Sequence, residues 1–202
     1  MNFSKSAYIV LFFCFCILTS INYAEKPLSD KARGMFICIA VGPRTPIGSF
    51  GTNSMTGIGF NAELDYTDNE YLPIFLFAKV EFLHFPGAQE FYQSGDYSHL
   101  STNILPLSMG GRYYFAPILE NVGLVLPYIE IAGHIAAYQK LHQFKISTYL
   151  PSYIESGTKF GVSAGVGFSM FILEMLASYT YFKSNQFVGV DLKVRLPMYV
   201  SI

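Results

Sequence analysis

The strongest constraint on this chain is a two-residue alternation of bulky apolar side chains with polar or small ones, repeated in eight segments. Successive side chains of a β-strand point to opposite faces, so alternation sorts residues into two different surroundings. The cleanest segment is Lys159–Met170. There Phe160, Val162, Ala164, Val166 and Phe168 alternate with Gly161, Ser163, Gly165, Gly167 and Ser169. In Thr56–Tyr66, Ile58, Phe60, Ala62, Leu64 and Tyr66 oppose Gly57, Gly59, Asn61, Glu63 and Asp65. In Phe187–Val200, Val188, Val190, Leu192, Val194, Leu196 and Met198 oppose Gly189, Asp191, Lys193 and Arg195. The remaining segments are Met35–Gly42, Ile74–Phe85, Leu105–Phe115, Tyr128–Gln139 and Leu173–Phe182.

Which face is the inner one follows from composition. The chain is 51% hydrophobic and only 13% charged, where soluble domains carry about 25% charged residues. Too few charges remain to cover the outside of a soluble barrel. Beyond the first two dozen residues there is also no apolar run of the roughly 20 residues that a spanning helix needs. The apolar faces therefore belong to strands that meet lipid. Each segment runs roughly 8–14 residues, and a tilted transmembrane strand takes about 9–11. Strands in lipid must close on themselves, because an open edge leaves backbone groups unpaired in hydrocarbon. The expectation is an all-β fold: a closed eight-stranded antiparallel transmembrane β-barrel, wound as an up-and-down meander.

The connections fit that winding. Links 67–73, 116–127 and 171–172 alternate with links 43–55, 86–104, 140–158 and 183–186, of which 86–104 and 140–158 are long. Short turns on one side and longer loops on the other put both termini on the short-turn side.

The N-terminus reads as a secretory signal, with Lys5 before the apolar run Tyr8–Leu18 and cleavage after Ala24. This divides the chain into a signal peptide, 1–24, and a barrel domain, 25–202. Cys14 and Cys16 leave with the signal, so Cys38 remains without a disulfide partner. A net charge of −1 and the lack of a basic stripe exclude nucleic acid as a partner.

The strand pattern, the glycine-rich GVSAGVGFSM of 161–170 and the phrase LPLSMGGRYYF (105–115) before PYIEIAG (127–133) resemble the OmpA/OmpX-like family of eight-stranded outer-membrane barrels. The resemblance covers Gly34–Val200. It implies the outer membrane of a Gram-negative bacterium, periplasmic termini, and contact with outer-membrane lipid and lipopolysaccharide. It also implies a structural or surface-binding role. The family's last strand ends in an aromatic residue, for which Tyr199 is the candidate here.

On the inward faces the alternation places Glu63, Asp65, Lys79, Glu81, Arg112, Glu130, His134, Glu174, Asp191, Lys193 and Arg195, with Lys159 at the margin. An eight-stranded barrel is narrow enough for side chains to fill it. Near-balanced charges there should pair, because an unpaired buried charge is expensive. The expectation is a salt-bridged polar network and no open pore. A narrow channel for small solutes is the alternative for these residues.

The tripeptide His99-Leu100-Ser101 resembles the His-x-Ser of barrel enzymes that hydrolyse lipid A. A serine nucleophile needs His as base and a carboxylate to orient it, and Thr102–Leu119 holds no Asp or Glu. The enzyme is thus only an alternative reading. No spacing suits a metal, and no motif suits a cofactor. Tyr66, Phe85, Tyr113, Tyr114, Phe115, Tyr138, Tyr179, Tyr181, Phe182 and Tyr199 cluster near strand ends, as membrane-interface rings do. Loops 86–104 and 140–158, rich in Tyr, Ser and Gln, are the candidate surface for an extracellular ligand.

Overall fold

The computed structural model describes residues 33–68, 72–118 and 125–201; the signal segment 1–24 lies outside them. Among the described residues eight strands follow in chain order. They are β1 (Arg33–Ile47), β2 (Gly57–Asp68), β3 (Leu72–Pro86), β4 (Tyr97–Tyr114), β5 (Val125–Phe144), β6 (Tyr153–Met170), β7 (Leu173–Phe182) and β8 (Asn185–Ser201). A short helix, α1 (Gln89–Ser94), lies between β3 and β4. Each strand pairs antiparallel with the next, and β8 returns to β1 from Arg33↔Ser201 to Ile47↔Gln186, which closes the barrel.

Alternation becomes facing. Outward side chains such as Ile39, Leu107, Met109, Ile131 and Phe160 are exposed, Phe160 by 73%. Inward side chains on the same strands, among them Cys38, Asp65, Lys79, Ser108, Arg112 and Glu130, are buried. Water would penalise this exterior by about 25 cal/mol for each Å² of apolar surface. A patch this continuous is stable only against hydrocarbon. No helix among the described residues is long and apolar enough to cross a membrane.

Two turns are tight without glycine. Phe171 (φ 55°) and Ser184 (φ 67°) take the left-handed conformation, so the β6–β7 and β7–β8 links shrink to Phe171–Ile172 and Lys183–Ser184.

The expected strand ends need correction. β1 continues to Ile47, β4 starts at Tyr97, β5 runs to Phe144 and β6 starts at Tyr153. Much of loops 86–104 and 140–158 is therefore paired strand, with Ser101↔Leu141 and His142↔Tyr153 in register. The reason is solvent. Alternation records an apolar outer face opposed to a polar lumen face, and at these strand ends the outer face turns polar at Ser98 and Gln143 while Leu100 and His142 stay buried on the inner one, so the strand continues but the pattern is lost.

The ring of interfacial aromatics also needs correction. Tyr66, Tyr179, Tyr181 and Tyr199 are exposed, but Phe85, Phe182 and Tyr138 are buried in the lumen, and Tyr114 hydrogen-bonds to Glu174 inside it (3.0 Å).

Candidate functional site

The lumen is built from charges placed opposite one another by register. Glu63 of β2 faces Lys79 of β3, Arg112 of β4 faces Glu130 of β5, and Glu174 of β7 faces Lys193 of β8. Closure then brings distant strands within reach. Arg112, 1% exposed, lies at 2.7 Å from Glu63, 3.1 Å from Asp65, 2.6 Å from Glu130 and 3.5 Å from Glu174. Lys193 bonds Glu63 (2.8 Å). Arg195 bonds Asp65 (3.0 Å) and Glu174 (2.9 Å). Lys79 lies 3.5 Å from Glu130. Four carboxylates meet four cations, so the belt is neutral as a whole.

A second cluster lies nearer the β7–β8 turn. Arg44 donates to Glu81 at 2.5 Å and to Asp191 at 2.7 Å. Sequence reasoning missed Arg44 because Pro43 and Pro46 read as a loop. The available signal was the continued period from Ala40 through Gly42 to Arg44. Space for this guanidinium comes from two glycines, since a Cβ on Gly59 or on Gly189 would meet Arg44 side-chain atoms at 2.9 Å. His134 stands apart from both clusters, with its Nδ1 2.6 Å from the Ser108 hydroxyl. Lys159 sits at the margin, bonded to Asn185 and 3.7 Å from the Tyr138 ring centroid.

Aromatic side chains bound the ionic belt. Toward the termini the Arg195 guanidinium carbon lies 5.2–5.5 Å from the ring centroids of Phe36, Phe75 and Tyr114, a cation–π enclosure. Toward the opposite end Phe50, Leu83, Phe85, Ile104, Ala136, Tyr138, Phe182 and Phe187 form an apolar plug. The lumen is layered: aromatic floor, ionic belt, apolar plug. Alternation does not reveal the plug, because its members are apolar on a face that elsewhere is polar.

Cys38, Glu63 and Asp65 offer ligand atoms within 4.8 Å of one another. Both carboxylates are already held by two cations each. A metal ion there would compete with Arg112, Lys193 and Arg195, so the trio belongs to the belt. His99 and Ser101 are not brought together. The exposed His99 ring stacks on Tyr92 (centroids 6.3 Å, planes 16°), Ser101 is buried, and no hydrogen bond joins the two among the described residues. A triad has no geometry here.

Beyond the plug the upper parts of β4, β5 and β6 rise as a rim. Tyr97 packs on Phe144 (4.6 Å), and His142 stacks on Tyr153 (4.5 Å, planes 8°). The Lys145 amide and ammonium donate to the Asp96 and Gly95 carbonyls, each at 2.8 Å, and tie the two tips together. Ile146 and Tyr149 at the tip are each 96% exposed.

A closed eight-stranded meander, apolar outside and ionic within, decides the architecture. The fold is that of the eight-stranded outer-membrane barrels. No protein-family model matches the chain, and no curated protein matches it. Among solved structures it is similar to neisserial surface protein A, with TM-score 0.49, 14% identity, and coverage of 83% of this chain and 99% of that one. It is similar to Ail, the attachment invasion locus protein of Yersinia pestis, solved with the heparin analogue sucrose octasulfate (TM-score 0.43, 15% identity, 83% and 100% covered). It is also similar to the N-terminal β-barrel domain of Pseudomonas aeruginosa OprF (TM-score 0.44, 11% identity, 82% and 100% covered).

Proposed function

We propose that this protein is a structural and surface-binding barrel of a Gram-negative outer membrane. The signal peptide 1–24 is removed, the termini lie in the periplasm, and the apolar band contacts lipid and lipopolysaccharide. The lumen is closed to solutes by the ionic belt and the plug, and the rim of β4–β6 carries binding. The observation that supports this most is the tip of the β5–β6 link. Ile146 and Tyr149 are almost fully exposed on a scaffold tied down by Lys145. Together with the exposed Leu150 they form an apolar patch, and such exposed patches mark interaction surfaces.

The test uses the full chain displayed in the outer membrane of a Gram-negative host that lacks adhesins. Adherence of these cells is measured on immobilised matrix proteins and on heparin, against a variant with 145–152 replaced by a Gly-Ser link. The expected result is adherence to one surface that the replacement abolishes. Equal adherence by cells with the protein, the variant and an empty vector on every surface would overturn the proposal.

A further inference from the structure

Three apolar side chains stand together at the tip of the β5–β6 link. Ile146 and Tyr149 are each 96% exposed and Leu150 is 52% exposed. Side chains so bare touch almost nothing of their own chain, so the tip is a point and not a cleft. Just below it the Tyr153 ring is half-exposed.

The backbone beneath them is held from inside. Ile146–Thr148 forms a single 3-10 turn. The Thr148 amide and hydroxyl both donate to the Lys145 carbonyl, at 3.0 and 2.7 Å, and the Tyr149 amide donates to the Ile146 carbonyl at 3.4 Å. Pro151 brings no N–H at all. Tyr149 is left-handed, with φ 55°, a conformation that bulky side chains rarely adopt. The chain accepts this strain where it holds a large ring in the open.

These features favour a lipid surface over a protein. A stable protein interface takes about 800 Å² from each partner, and an aromatic side chain supplies about 150–250 Å², so a point of three residues falls short. A bilayer needs no complementary shape. It demands that entering backbone groups already have partners within the chain, and it accepts tyrosine rings where hydrocarbon gives way to headgroups. The bilayer that the barrel spans is out of reach. On the outer face of β6 the apolar run from Met170 ends at Phe160; Thr158 and Ser156 follow, with Ile154 alone beyond them. From Phe160 to Tyr153 the strand climbs about 18 Å, at about 3.3 Å per residue and the roughly 35–45° tilt of such barrels.

We infer that the tip inserts Ile146, Tyr149 and Leu150 into the outer leaflet of a second lipid bilayer, that of an apposed cell. The inference rests on the surface-binding reading and names its partner as lipid. The attraction is apolar, because the Lys145 ammonium is turned onto the Gly95 carbonyl (2.8 Å). Zwitterionic headgroups therefore suffice.

The test uses the full chain in lipid nanodiscs, mixed with phosphatidylcholine vesicles and separated by flotation against empty nanodiscs. Tyr149→Asn removes the ring and supplies a residue that tolerates the left-handed backbone, so the turn keeps its shape. Ile146→Arg puts a charge at the point. The expected result is flotation of the native chain, weakened at least about tenfold by either change, as the loss of one buried apolar side chain predicts. Salt and added phosphatidylserine should leave it unaltered. A thiol dye on Leu150→Cys, with Cys38 buried, should be quenched by spin-labelled lipid in the added vesicles. No flotation of the native chain, equal flotation of both variants, no quenching, or flotation that needs phosphatidylserine and fails in salt would overturn the inference. The two readings fail separately. Adherence to a matrix protein that needs 145–152, without flotation, leaves surface binding in place and overturns lipid as the partner. Flotation without adherence to matrix proteins or heparin supports lipid and overturns only binding to those surfaces.

Discussion

Replacing Arg112 tests the ionic belt most directly. Its guanidinium touches Glu63, Asp65, Glu130 and Glu174 and is itself 1% exposed, so no water can take over its role. Arg112→Met keeps most of the side-chain volume but leaves four carboxylates with the three remaining cations Lys79, Lys193 and Arg195. Removing one partner of a buried ion pair costs about 3–5 kcal/mol. With a urea slope of about 2 kcal/mol per M, the unfolding midpoint should fall by about 2 M. The assay is urea unfolding of the full chain in lipid vesicles. It is followed by far-ultraviolet circular dichroism and by gel migration of unheated samples, because the chain has no Trp. Adding Glu130→Gln to Arg112→Met removes the uncompensated charge and should recover about 1–3 kcal/mol, the coupling expected of groups in one network. The same Glu130→Gln change in the otherwise native chain should destabilise, because Arg112 and Lys79 lose a partner. A loss below about 1 kcal/mol for Arg112→Met, or no recovery in the double variant, would refute a belt stabilised by charge compensation.

Three further outcomes follow from the layers. Leu107→Arg puts a cation in the lipid-facing band and should cost about 2–4 kcal/mol in vesicles, whereas Ile146→Arg at the exposed tip should stay within about 0.5 kcal/mol; equal effects in the same unfolding assay would argue against the lipid face. Gly59→Ala places a methyl group 2.9 Å from the Arg44 guanidinium and should destabilise by about 1–3 kcal/mol through overpacking; a neutral result would show that Arg44 can move away from Glu81 and Asp191. Phe85→Ala opens the plug and should cost about 3–5 kcal/mol, yet planar-bilayer recordings should remain silent, because Arg44, Glu81 and Asp191 still cross the lumen. Stepwise conductance, in the native chain or in this variant, would refute the filled lumen.

Legibility in the sequence depended on which solvent each face meets. Within the lipid band the alternation is local and strong, and Glu63, Lys79, Arg112, Asp191 and Lys193 lie on buried inward faces in the structure. At the upper ends of the strands the signal fails in two ways. Where the outer face turns polar, as at Ser98 and Gln143, strand reads as loop. Where both faces are apolar, as around Phe85 and Phe182, the inward ring reads as an interfacial one. Arg44 failed for a third reason: proline usually ends a strand, but Pro43 and Pro46 flank Arg44 inside β1 without breaking it.

By itself the sequence determined the strand period, the even strand count and the separation of lipid-facing from lumen-facing residues. These are local properties, set by the two-residue repeat of an extended chain and by the low charge content. Tertiary structure decided which charges meet. Asp65 and Arg195 come from β2 and β8, and Arg112 gathers carboxylates from β2, β5 and β7. Such contacts depend on the register of every ladder and on closure of β8 onto β1, which no local pattern encodes.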